Sequence, residues 1–107
     1  MMFFLNEDAN PVEMLPGIMR RVLATDDKMM LVEFTFEKDV EVPQHTHHHD
    51  QVGYVVSGRM RMVMGEQEIE CGPGDSYHAP PNVPHGGTAL QASVVIDVFS
   101  PPREDYR

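Results

Sequence analysis

The stretch His45-Thr46-His47-His48-His49-Asp50-Gln51-Val52-Gly53-Tyr54-Val55-Val56-Ser57-Gly58 decides how this chain is read. Side chains alternate between the faces of an extended strand, so His45 and His47 are expected to point the same way. Gln51 joins them after one sharp bend. Imidazole nitrogens suit zinc, copper, iron and nickel, and a fourth ligand from a distant part of the chain turns such a cluster into a cage. His85, framed by Pro84 and Gly86, is the candidate.

Working outward, Gln51 to Ser57 reads as a strand that ends at Gly58. Arg59 to Met64 alternates again, with Met60, Met62 and Met64 on one face, before a Gly65-Glu66 turn into Gln67 to Glu70. Gly72-Pro73-Gly74-Asp75 and Pro80-Pro81-Asn82-Val83-Pro84 bracket a short segment, Ser76 to Ala79, because proline has no N–H to give a central strand. A last strand, Ala92 to Ser100, precedes the tail Pro101 to Arg107. Towards the N-terminus, Gly17 to Ala24 and Lys28 to Glu37 flank a hairpin turn at Asp26-Asp27. Met30, Val32, Phe34 and Phe36 share one face there, the pattern of a half-buried antiparallel strand. Met1 to Leu5 predicts a terminal strand that needs a sheet edge to pair with. With 107 residues, no helical periodicity and eight to ten short strands, the chain reads as one all-β domain over 1–107, a sandwich or barrel.

Eight Lys and Arg against 17 Asp and Glu give a net charge of -9, which repels nucleic acid and anionic membranes. The single cysteine, Cys71, has no intrachain partner and reads as a small packed residue. The N-terminus lacks a signal-peptide pattern and nothing reaches transmembrane length, so the cytoplasm is the expected compartment. An acidic ligand must be held locally, by a metal or by a placed arginine, against the field of the whole protein. Among the arginines, Arg59 and Arg61 read as surface charges and Arg103 as the one to follow.

Two spacings carry a resemblance. His45, His47, Gln51 and Gly58 match the first cupin motif, with Gln51 where most cupins carry glutamate; Gly74-Asp75, Pro80 and Pro84-His85 match the second. The chain thus resembles the cupins, implying a small double-stranded β-helix or jelly-roll barrel. The stretches Asp97 to Tyr106 and Pro80 to Gly86 narrow the match to the KdgF-type cupins of pectin and alginate degradation. That resemblance implies one divalent metal ion, nickel, zinc, manganese, iron or cobalt, on His45, His47, Gln51 and His85. It also implies an activity, the linearisation of 4,5-unsaturated monouronates to open-chain keto acids, with Asp97, Phe99 and Arg103 lining the site and an anionic sugar as substrate.

The residues support those roles independently. Asp97 and Phe99 share a strand face with Val95, so a base and an aromatic platform project into one cavity, and Arg103 can clamp a carboxylate after Pro101-Pro102. A buried carboxylate without a purpose is costly, which singles out Asp97. By contrast, the methionine stripe reads as packing, His78 as a core or cavity-wall histidine, and His48 and His49 as a surface tract outside the ligand set. Two other functions fit the same motifs: a cupin dioxygenase or oxidase, and a non-catalytic ligand-binding cupin. The apolar Met2 to Leu5 and the open edges of a small sheet, together with the resemblance, predict a homodimer.

Overall fold

The computed structural model describes residues 2–107 and arranges ten strands in two antiparallel sheets. In chain order they are β1 (Val12–Leu15), β2 (Ile18–Thr25), β3 (Met30–Phe36), β4 (Glu41–His45), β5 (Asp50–Ser57), β6 (Met60–Met64), β7 (Gln67–Cys71), β8 (Ser76–Ala79), β9 (His85–Ala89) and β10 (Ser93–Ser100). Six form one sheet in the order β1-β2-β3-β10-β5-β8, and four form the other, β4-β9-β6-β7.

Period-two alternation builds the core. Met30, Val32, Phe34 and Phe36 on β3 are buried, as are Val95 and Phe99 on β10 and Val55 on β5. They meet Met60, Cys71 and Ala89 from the smaller sheet. Each large apolar side chain removed from water in this way stabilises the fold by about 1.5–3 kcal/mol. The β2–β3 turn forms as its sequence dictates: the Asp26 carboxylate accepts the backbone N–H groups of Lys28 and Met29 at 2.8 and 2.9 Å. Those two donors hold the Asp26 carboxyl below its ordinary range.

Three features differ from the sequence expectation. Residues 2–5 form no strand, and Met1 lies outside the described residues. Phe3 is 81% exposed, and the first strand is instead β1, which pairs with β2. The apolar run lacks the alternation that would give a strand one face to bury. Second, His45 and His47 do not share a strand: β4 ends at His45, and His47 lies in the connection to β5. As an edge strand β4 accommodates Pro43, and its pairing with β9 is irregular between Val42 and His45. Third, β9 is a strand where the sequence predicted none, because Gly86-Gly87 at its centre leave it no hydrophobic alternation. A Cβ at Gly86 would stand 2.6 Å from the Val42 carbonyl oxygen, so glycine is what lets β4 approach this closely.

Candidate active site

The register of the two sheets assembles the histidines. His45, closing β4, is paired with His85, opening β9, and their rings lie 4.4 Å apart. His47 reaches the same place from its loop, 4.8 Å ring to ring from His85. One ligating atom from each of His45, His47 and His85 falls within 4.8 Å of the others.

The outer nitrogens of His45 and His85 are already committed. His45 Nδ1 donates to the Pro43 carbonyl at 3.0 Å and His85 Nδ1 to the Val83 carbonyl at 2.9 Å, which leaves each Nε2 with a free lone pair. His85 Nε2 is buried without a hydrogen-bond partner, as is His47 Nδ1. Burial lowers the pKa of both rings, helped at His47 by the Arg103 charge. Both imidazoles are therefore held in the neutral form that binds metals. Gln51 completes the group, its Oε1 standing 3.0 Å from His47 Nε2. A buried, unpartnered imidazole nitrogen facing other imidazoles fits a bound cation, and the three histidines can hold one.

Beside this cluster lies an acidic one. Phe99 on β10 is directly opposite Gln51 on β5; further along the same strands, Asp97 is opposite Gly53, which in turn is opposite Tyr77 on β8. The Tyr77 hydroxyl donates to Asp97 Oδ1 at 2.5 Å, and the Gln51 side chain also hydrogen-bonds Asp97. Only its amide nitrogen can donate to a carboxylate, so Gln51 turns its oxygen to the histidines and its nitrogen to Asp97. Asp97 is 3% exposed, and burial raises its pKa to about 7 against those two hydrogen bonds, which lower it. Burial, and then Asp97 itself, push the Tyr77 phenol well above its ordinary value.

The tail after β10 closes the wall. The Arg103 guanidinium lies 5.2 Å from the Phe99 ring centre and 4.4 Å from that of Tyr106, and Arg20 sits 4.3 Å from the same Tyr106 ring. Two nitrogens of Arg103 are engaged, Nε and Nη2 donating to the Asp105 carboxylate at 3.1 and 2.9 Å. Asp105, rather than Asp97, is thus its ion-pair partner. One cavity is lined by His45, Gln51, His85, Asp97, Phe99 and Arg103 together with Tyr77 and Tyr106, against apolar walls that include Met14 and Met62.

Other histidines depart from expectation. His78 is not in the core: β8 turns Tyr77 and Ala79 inward, and His78 faces solvent beside Asp50, 3.0 Å away. His49 is buried rather than part of a surface tract, edge-on to Phe99 with its Nδ1 unpartnered, while His48 is exposed. Arg59 and Arg61 are surface charges, paired with Glu70 and Glu68. Tyr77, Asp105 and Tyr106 escaped the sequence reading. Their importance lies in what they face across strands, and for Tyr77 the signal was its place on the same face of β8 as Ala79, which pairs with Gln51.

Two facing antiparallel sheets with histidines gathered in the cavity between them define a cupin. Residues 32–99 match the cupin domain family, and the chain belongs to it. Within that family it is 34% identical over 106 residues to the pectin degradation protein KdgF of Dickeya dadantii (strain 3937), covering 97% of this chain and 96% of that protein. The structure of KdgF from Halomonas sp. superimposes with a TM-score of 0.93 at 36% identity, covering 98% of this chain and 97% of the other. An RmlC-like cupin from Shewanella frigidimarina gives a TM-score of 0.95 at 33% identity, with coverage of 100% and 96%. The chain thus stands among the KdgF-type cupins. Among the described residues no helix is long and apolar enough to cross a membrane.

Proposed function

We propose that the protein opens the ring of 4,5-unsaturated monouronates, of the kind released when pectin or alginate is degraded, and yields the open-chain keto acid. The observation that carries this reading is the placement of a fully buried carboxylate, Asp97, in one cavity with the histidine cluster, an aromatic face and a cationic fork. Its support from relatives is the similarity to two KdgF proteins, one of them named for pectin degradation.

The substrate is a cyclic hemiacetal whose ring oxygen is also part of an enol ether. Asp97 takes the proton from the anomeric hydroxyl; the oxygen's electrons form the aldehyde carbonyl as the bond from the anomeric carbon to the ring oxygen breaks, and that oxygen leaves as an enolate. Asp97 then returns the proton to C4, giving the ketone. The sum is an isomerisation that consumes neither water nor oxidant. A pKa near neutrality suits a group that must both accept and return a proton. Arg103 binds the uronate carboxylate through its planar fork, and Phe99 with Tyr106 flanks the sugar. His45, His47 and His85 with Gln51 would hold a divalent cation, which would supply Lewis-acid stabilisation of negative charge on oxygen. Gln51, neutral where most cupins carry glutamate, leaves that centre more positive towards an anionic substrate.

The test follows the ultraviolet absorbance of the conjugated double bond of a 4,5-unsaturated monouronate, with and without protein, in air and without dioxygen. Accelerated loss that is unchanged without dioxygen is expected. Loss at the spontaneous rate in every metal form refutes ring opening, and a requirement for dioxygen makes the protein an oxygenase instead.

A further inference from the structure

Three residues on neighbouring strands form one inward-facing row: Asp97 on β10, Gly53 on β5 and Tyr77 on β8. The central member has no side chain, and the space above it is occupied from both sides. A Cβ at position 53 would overlap both the Asp97 carboxylate and the Tyr77 ring at its hydroxyl end. Across that gap the phenol and the carboxylate meet at 2.5 Å, the distance of a strong hydrogen bond to a charged acceptor. An ordinary residue at position 53 would have separated two polar groups that β10 and β8 are otherwise too far apart to join.

The torsion that turns a carboxylate about its own axis is broad, so burial alone does not aim it. Two donors do so here, the Gln51 amide and the Tyr77 hydroxyl. Gln51 answers also to the histidine cluster through its oxygen, whereas the Tyr77 hydroxyl is given to Asp97 alone. Burial and the neighbouring carboxylate keep the phenol protonated, so it acts as donor throughout. We propose that Tyr77 is a positioning residue, reaching across the gap left by Gly53 to fix the carboxylate of Asp97 in the orientation from which it moves the substrate proton. The proposal rests on the ring-opening reading for the identity of the reaction, and on the geometry of this row for the role of Tyr77.

Tyr77→Phe keeps the ring and removes only the hydroxyl. It is expected to lower kcat by about 10- to 100-fold, the range for losing one hydrogen bond to a charged group, with KM within about twofold of wild type and metal content unchanged. In an Asp97→Asn background the same substitution is expected to cost nothing further, because it acts through Asp97. A Tyr77→Phe protein with wild-type kcat, or a loss that is fully additive with Asp97→Asn, overturns the proposal. A melting temperature lowered with kcat per folded molecule intact has the same effect, since it leaves Tyr77 a structural role only. If the wild-type protein does not accelerate the reaction at all, the ring-opening reading fails, and proton magnetic resonance judges the contact separately. A slowly exchanging phenolic proton that disappears in Tyr77→Phe and shifts in Asp97→Asn supports positioning of the carboxylate; its absence from the wild type refutes it.

Discussion

Asp97→Asn should make the metal-free protein more stable as it makes the enzyme worse. The folded state holds this carboxyl at about 7 against 3.8 for the free side chain. Each tenfold change in proton affinity is worth about 1.36 kcal/mol, so keeping the charged form buried costs the fold about 4 kcal/mol once the pH is well above 7. Because the pKa is raised, the sign is fixed: the group favours folding most below pH 4, and that contribution drains away as the pH rises to 7. Asparagine carries no charge and escapes the penalty. It has one acceptor oxygen where Tyr77 and Gln51 both donate, and a mismatched donor returns about 1–3 kcal/mol. The net gain is about 2 kcal/mol at pH 8, or roughly 8 °C in melting temperature for a chain of this size, and it should vanish near about pH 5 and reverse by about pH 4, where the mismatched donor remains and the charge penalty does not. Thermal and urea melts of chelator-treated wild type and variant between pH 4 and 9 measure it, alongside kcat, which should fall by about 100-fold or more. A stability difference that does not grow with pH, or a variant less stable than wild type at pH 8, refutes the account of Asp97 as a carboxylate charged at the fold's expense.

Three further outcomes are expected. His45→Ala and His85→Ala should each leave divalent metal substoichiometric after dialysis, read by elemental analysis, since losing one of four ligands weakens the site and opens it to water. Arg103→Ala should raise KM for an unsaturated monouronate by about 10- to 100-fold with a smaller effect on kcat, and Arg103→Lys should recover little of that loss because a point charge lacks the planar fork; steady-state kinetics decide both. We also propose that the chain is a homodimer through Met2 to Leu5, which are exposed and outside any strand: light scattering should return about twice 12.1 kDa, and Phe3→Asp with Leu5→Asp should return the monomer.

What the sequence disclosed, it disclosed through periodicity and motif spacing. The β3 face of Met30, Val32, Phe34 and Phe36 and the β10 face of Val95, Asp97 and Phe99 are period-two patterns, and both proved to be inward faces. The convergence of His45, His47, Gln51 and His85 followed from spacing, although the reason given for His45 and His47 was wrong, since they meet through a strand end and a loop. β9 was illegible because two glycines erase the hydrophobic signal just where close backbone approach requires them. The fates of His49 and His78 depended on register and on where the tail folds back, and neither is encoded in the residues next to them. Tyr77 was hidden for the same reason: its partner lies 20 residues away and two strands over.

The pairing of Arg103 with Asp105 bears on how a substrate would arrive and leave. A guanidinium that already grips a carboxylate offers an incoming uronate an exchange rather than a vacancy. Asp105 is tethered two residues away, so it competes at a high effective concentration and reclaims the fork as soon as it is released. On the ring-opening reading, a neutral sugar has nothing to offer in that exchange and is turned away at the entrance. An acidic product, having kept its carboxylate, is helped out by the same residue that its precursor displaced. Selectivity and turnover then share one side chain, Asp105, which is neither a member of the histidine cluster nor a partner of Asp97.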